Sequence, residues 1–418
     1  MSLALVTGSA RSRAGYPAPS RSRRQWLSTV SHLDPIYGGL SAVVPQLASS
    51  LAGNGISVSL QAFCLPGEHY RPAAYPNLSI DYWPTGRKAW LVDRTLRRSF
   101  QQSLAEADGL HIHGLWEQSS LIPARSARRL RVPYIVSAHG MLEPWALARS
   151  RAKKQVYAAL FERATLNGAA CLHALTRAEA QNYRDFGCTR PIAIIPNGVG
   201  GPVPIPSALF LEKYPRARGK RVLIFLGRLH RKKGVELLVR AWAGMAARTS
   251  DACLVIAGPS EDDTRARVEL LITQLGVGRS VLLTGMLGPA VKWSALAAAE
   301  CFVLPSYSEG LSIAALEAMG AGLPVIVTEN CNLPEVVEER AGWQVQAEQQ
   351  GLTAALEAWL GNTPAENRAI GQRGAALVRQ RYSWATVAAQ MAELYAWVEA
   401  GADRSAEPSS FPFLKGLS

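Results

Sequence analysis

The chain is poor in cysteine, and none of its cysteines are paired in sequence. Six of them, Cys64, Cys171, Cys188, Cys253, Cys301 and Cys331, are scattered through 418 residues without a CxxC. That excludes a disulfide scaffold or a zinc ribbon read from spacing, and buried free thiols in a reducing compartment are expected instead. No run approaches the roughly 20 apolar residues that a membrane span needs. No apolar core of signal-peptide length occurs near the start, so secretion is not expected. A Walker loop, a paired-aspartate motif at a strand end and a nucleophile elbow are all missing. Asp262 and Asp263 fall in a polar loop and read as solvated.

Acidic residues are scarce in the first half. Residues 1–200 hold 23 Lys+Arg against 11 Asp+Glu, a net of +12, whereas residues 201–418 hold 22 against 21, a net of +1. Residues 1–24 carry five arginines and no acid. They are expected to be a disordered leader, with Pro17 and Pro19 opposing a helix. Further basic clusters are Arg87, Lys88, Arg94, Arg97 and Arg98; Arg125, Arg128, Arg129 and Arg131; and Arg149, Arg151, Lys153 and Lys154. Such a surface favours anionic partners, with solvated helix faces as the plainer reading.

What is present is alternation. Apolar strand-like runs at 26–31, 56–63, 109–113, 134–137, 171–174 and 192–196 are interleaved with helical patterns at 40–52 and 90–107. Five glycines or prolines within residues 200–206 (GGPVPIP) mark a linker. A second series follows, with strands at 222–226, 253–257, 281–284, 301–305 and 324–327 and a closing helix at 384–399. Alternating strands and helices predict an α/β protein of two doubly wound Rossmann-like domains facing a cleft. The expected boundaries are 25–200, a linker at 201–218, and 219–383. Helix 384–400 is expected to pack back on the first domain, and 401–418 to form a disordered tail.

Residues 306–322 read SYSEGLSIAALEAMGAG and hold Glu309 and Glu317 with seven residues between them. Glu309 falls in the loop after an apolar strand and Glu317 inside the next helix. Free amides at that helix start suit an anion, and carboxylates accept from hydroxyls. The pair therefore suits a ligand carrying both phosphate and hydroxyls; two solvated glutamates are the alternative. Residues 227–234 (GRLHRKKG) place Arg228 and Lys233 at another strand end, where two cations suit a diphosphate. Arg231 and Lys232 read as solvated. His139 and His113 end strands, where a histidine can act on a hydroxyl or a developing charge or be merely structural. Gly39 heads a helix and would let backbone amides approach phosphate. Residues 196–198 (PNG) read as a turn.

Together these residues resemble the retaining GT-B-fold glycosyltransferases of the bacterial group 1 family. The carrying segments are GRLHRKKG at 227–234, SEGLSIAALEAMGAGLPVI at 308–326, AHGMLEPWAL at 138–147, IIPNGV at 194–199 and YGGLSAVVPQLA at 37–48. The resemblance covers about residues 26–399 and implies roles by position. Arg228 and Lys233 would hold a donor diphosphate, Glu317 the ribose hydroxyls and Glu309 the transferred sugar. The amides of Gly310, Leu311 and Ser312 would line the sugar-phosphate site, and Gly258 and the loop from Thr284 would border the base. His139 and Gly39 would face the reaction from the other domain. One departure is Leu311-Ser312, where many relatives have an aromatic-Gly pair.

The implied reaction is metal-independent sugar transfer, without a cofactor, from a nucleotide-diphosphate sugar. The implied acceptor is a saccharide or a polyprenyl-diphosphate-linked saccharide, in polysaccharide or glycolipid assembly. A cytoplasmic location is expected, peripheral on an anionic membrane face, where a helix carrying Trp90, Arg94, Arg97 and Arg98 would touch lipid. An epimerase or hydrolase of the same fold is the alternative. A nucleic-acid-binding protein is disfavoured, because aromatic and basic residues are not interleaved.

Overall fold

The structure is a computed structural model that describes residues 24–34, 39–64, 78–84, 94–148, 150–245, 249–260, 262–402 and 408–414. Among them, the first sheet uses β1 (Arg24–Val30), β2 (Ile56–Cys64), β3 (Leu78–Pro84), β4 (Gly109–His113), β5 (Tyr134–Ser137), β6 (Cys171–Ala174) and β7 (Ile192–Ile194). The second uses β8 (Arg221–Leu226), β9 (Ala252–Ala257), β10 (Val281–Gly285), β11 (Cys301–Leu304), β12 (Val325–Thr328) and β13 (Gly342–Val345). A last strand, β14 (Phe413–Leu414), joins the first sheet.

The orders are β14-β7-β6-β5-β4-β1-β2-β3 and β10-β9-β8-β11-β12-β13. All described pairings are parallel except β14 with β7. Both sheets therefore start at an inner strand, wind outward, then return to its other side. The strand order reverses between β1 and β4 and between β8 and β11, where an open α/β sheet leaves a crevice at its carboxyl edge. The inner strands are buried along nearly their whole length, as strands covered on both faces must be.

Helix Trp384–Glu399 returns to the first sheet. Tyr395 stacks on Trp26 with ring centroids 3.7 Å apart, and the Trp26 indole N–H donates to Glu399 at 2.7 Å. The chain crosses back beside the turn at residues 196–198. A Cβ at Gly198 would lie 2.5 Å from the Trp384 ring, so only glycine fits there.

Two expectations need correction. The segment 201–218 is not all linker, for helix Ala208–Lys213 lies within it. Phe210 there is fully buried in the second domain's core, and its amide donates to Ser294 at 2.8 Å. The tail at 401–418 is not wholly disordered. Phe411 is buried, the Ile194 amide donates to Pro412 at 2.9 Å, and Phe413 packs on Trp397. The helix expected at 90–107 is described as Arg94–Ala105, with Phe100 and Leu104 buried and Arg97 and Arg98 exposed. Trp90, Arg87, Lys88, Arg149 and the leader at 1–23 lie outside the described residues.

A buried polar chain joins the closing helix to the sheet. His173 Nε2 lies 2.7 Å from the Ile195 carbonyl, which can only accept, so that nitrogen carries the proton. Its Nδ1 then accepts from Ser137 Oγ at 2.6 Å. Ser137 in turn accepts from His111 Nε2 at 2.6 Å, and His111 Nδ1 accepts from the Tyr395 hydroxyl at 2.8 Å. Each link fixes the tautomer of the next, and both imidazoles are neutral.

Burial is the main reason that these rings resist protonation. It holds His173 down at about 4 and His139 at about 3, and holds His111 and His113 well below the usual imidazole range. Below about pH 6.5 the unfolded chain takes up these protons and the folded one does not, so stability is lost as pH falls. Glu162 and Glu179, pushed up to about 7 by burial, act in the opposite sense. Four imidazoles outweigh two carboxyls. The expected outcome is a Tm that falls from pH 7 to pH 5, equivalent to about 3 kcal/mol, in thermal unfolding followed by circular dichroism. A flat or rising Tm over that range would contradict the assignment.

Candidate active site

The loops after β8 and β11 meet at the switch point of the second sheet, and glycines let them meet. Gly258, after β9, has φ 153°, and a Cβ there would lie 1.8 Å from the Gly227 carbonyl oxygen. Gly234 has φ 69°, and a Cβ there would lie 2.0 Å from the Pro305 carbonyl oxygen. Between these points Arg231–Lys233 forms a 3-10 turn, started by His230, whose ring accepts the Lys232 amide at 3.1 Å. The Tyr307 amide donates to the Lys232 carbonyl at 2.8 Å and stitches the two loops together.

That stitching places Lys233 against Glu309. The Lys233 ammonium lies 2.5 Å from Glu309 Oε1, and Ser306 Oγ donates to the same oxygen at 2.6 Å. Backbone bonds hold Glu309 as well. Its amide donates to Asn330 at 2.9 Å, and its carbonyl accepts from Asn332 Nδ2 at 2.5 Å. Asn332 has φ 56°, a left-handed conformation that asparagine tolerates better than most residues. Glu309 is buried and Lys233 half-buried, so this ion pair is partly withdrawn from water, while Arg228 is exposed.

Ser312 begins helix Ile313–Gly320 and accepts the Ala315 amide at 3.3 Å, a capping role that suits serine. Leu311 is buried in the second core. Glu317 does not join Glu309. Its carboxylate accepts from Lys292, on helix Pro289–Ala298, at 2.7 Å. Thr284, at the end of β10, donates from its hydroxyl to the Gly285 carbonyl at 3.0 Å.

On the first domain, His139 follows β5 with φ 52° and Gly140 with φ 78°. His139 Nε2 lies 2.9 Å from His113 Nδ1, and one proton is shared between these two neutral rings. Glu179 holds the turn from beneath, accepting the Gly140 amide at 2.6 Å and the Leu175 amide at 2.7 Å. His113 is buried and supports His139 from β4. Gly39 is exposed at the start of helix Leu40–Leu51, with φ −64°, so neither positive φ nor crowding requires glycine there.

The domains touch through Glu143. Its carboxylate is buried, and Oε2 accepts from Lys232 at 3.3 Å and from Ser308 Oγ by a short bond. Lys232 is therefore not a solvated lysine but an inter-domain contact, while Arg231 is exposed. The glutamate lies within the 138–147 segment, but its role has no local signal, because its partners are 89 and 165 residues away. Lys292 and Asn332 were likewise not foreseen, and only the folded loops bring them to Glu317 and Glu309.

Residues 208–376 match the family described as Glycosyl transferases group 1, and residues 38–198 match the Glycosyl transferase 4-like domain. Together these regions span most of the protein, which belongs to the group 1 glycosyltransferases. It is similar to a D-inositol 3-phosphate glycosyltransferase of Arthrobacter, with 28% identity over 86% of this chain and 90% of that one. An uncharacterized glycosyltransferase of Methanocaldococcus jannaschii, MJ1607, is 31% identical over 42% of this chain, which spans only 45% of that relative's length. The solved structure of Anabaena HepE in complex with UDP-glucose superposes with a TM-score of 0.70 at 18% identity, covering 89% of this chain and 99% of that one. The shared architecture is the GT-B fold. Among the described residues, no helix is long and apolar enough to cross a membrane.

Proposed function

We propose that the protein transfers a sugar from a nucleotide-diphosphate sugar to a saccharide or lipid-linked saccharide, with retention at the anomeric carbon. The observation that carries this reading is the Lys233–Glu309 pair at the switch point, with Arg228 on the same strand end. Lys233 is neutralised by Glu309. A donor diphosphate competes for that ammonium and frees the carboxylate for the sugar hydroxyls. Arg228 and Lys233 then stabilise the charge that develops on the leaving diphosphate, in place of a metal. Glu317, held by Lys292 one helix away, is positioned for the ribose. Retention is supported by the E-x7-E resemblance, and the UDP-glucose complex named for HepE makes a uridine nucleotide the first donor to try.

The test is a thermal-shift panel of UDP-, GDP- and ADP-sugars, because a ligand that binds only the folded state raises its Tm. One nucleotide class is expected to raise Tm, and no shift with any of them would defeat the donor reading. With that donor, Glu309→Gln is expected to lower kcat by at least about 100-fold. Glu317→Ala is expected mainly to raise donor KM, by about 10-fold. Wild-type kinetics in both variants would remove these roles.

The acceptor reading includes an anionic membrane surface. Val156 and Leu160 are 61% and 62% exposed one helical turn apart. Arg151, Lys153 and Arg163 are exposed on the same stretch of helix, and Trp145 is exposed nearby in sequence. Apolar tips among cations suit an interfacial position. Co-sedimentation with phosphatidylglycerol vesicles at low salt is expected, and to weaken as salt screens the attraction. No binding by the wild type at low salt would reject this part.

A further inference from the structure

Glu143 uses only one of its two carboxylate oxygens. Oε2 fastens the domains through Lys232 and Ser308, whereas Oε1 is buried without a hydrogen-bond partner among the described residues. A buried, unpaired carboxylate oxygen costs free energy that a single donor would recover. It can only accept, so its partner must be a donor, and the nearby Lys232 and Ser308 already serve Oε2.

The position of Oε1 says what could reach it. A Cβ on Gly140 would lie 2.9 Å from Oε1, and a Cβ on Gly310 would lie 3.5 Å from Oε1 and 3.5 Å from the Gly140 Cα. Two glycines, one from each domain, thus meet backbone to backbone and seal the oxygen in the seam. Gly310 directly follows Glu309, and Gly140 directly follows His139. Any molecule that enters between the His139 turn and the Glu309 loop parts these glycines and uncovers Oε1.

We propose that Glu143 is a third carboxylate of the site, contributed by the opposite domain. Its Oε1 accepts a hydroxyl from the sugar that parts Gly140 from Gly310, while its Oε2 contacts to Lys232 and Ser308 hold the cleft closed before that sugar enters. Glu309 and Glu143 are then served in parallel, Lys233 and Ser306 on one, Lys232 and Ser308 on the other. This rests on the donor reading above and adds a residue that discriminates the sugar from the nucleotide.

The test separates the two oxygens. Calorimetry compares UDP with UDP-glucose, GDP with GDP-mannose and ADP with ADP-glucose, on the full chain and on Glu143→Gln and Lys232→Gln. For the pair that binds, Glu143→Gln is expected to weaken the nucleotide-sugar about 10-fold more than the bare nucleotide. Lys232→Gln loosens the closure but leaves Oε1, and is expected to change both affinities by the same factor. If Glu143→Gln unfolds, Glu143→Asp, which keeps the charge but withdraws it, is expected to show the same selective loss. Equal loss of nucleotide and nucleotide-sugar, or no loss, would overturn the hydroxyl contact while leaving the donor reading intact. Wild-type protein that binds none of the three nucleotides would overturn both.

Discussion

Lys232 and Lys233 are neighbours in sequence whose ammonium groups serve different domains. Lys233 turns to Glu309 within its own domain, and Lys232 turns across the cleft to Glu143. A single 3-10 turn provides this divergence, and Gly234 ends it in the left-handed conformation against Pro305. The arrangement of the cleft follows from that turn. It fixes the spacing between the loops after β8 and β11, the burial of Glu309, and the point at which the first domain rests on the second. Ion pairs this far removed from water need complete geometry to be favourable, and here hydroxyls of Ser306 and Ser308 supply part of it.

The two domains solve a common problem differently. In the second, the carboxyl edge of the sheet is furnished with charge: Arg228, Lys233, Glu309, and Glu317 with Lys292. In the first, the same edge is furnished with neutral imidazoles held by burial, with Glu179, which anchors the His139 turn, and with Glu143, which reaches across to Lys232 and Ser308. Neutral rings do not compete with the lysines for an anion. Arg228 and Lys233 thus stand at the second domain's edge, while the first places neutral hydrogen-bonding rings at its own. That division agrees with a donor held on one side and an acceptor on the other.

Much of the fold was legible because buried parallel strands are uninterrupted apolar runs. The strands at 109–113, 134–137 and 171–174 were placed with their observed bounds. β3 and β13 were not foreseen. β3 alternates polar and apolar residues at a sheet edge, and β13 is four half-buried residues (GWQV) at the other sheet's edge, too short and too mixed to form an apolar run. β14 is two residues long, and its stability comes from Phe411 and Phe413 packing on distant groups. Phe210 falls in the expected linker because the glycines and prolines at 200–206 mark a chain break, and one aromatic residue carries no periodic signal of its own.

For the site, the sequence by itself determined which residues end up at strand ends, since a glycine after an apolar run marks where a strand stops and a loop turns. Arg228, Lys233, His139 and Glu309 were found in that way. Tertiary structure alone decided their partners. That Glu317 meets Lys292, that Asn332 holds the Glu309 carbonyl, that Lys232 faces Glu143, and that His111 connects Tyr395 to Ser137 all depend on chain separations of 23 to 284 residues. Local propensity carries no information at such distances. Those contacts are set by the packing of loops and helices around the second sheet, by the seam between the domains, and by a helix that returns to the first domain.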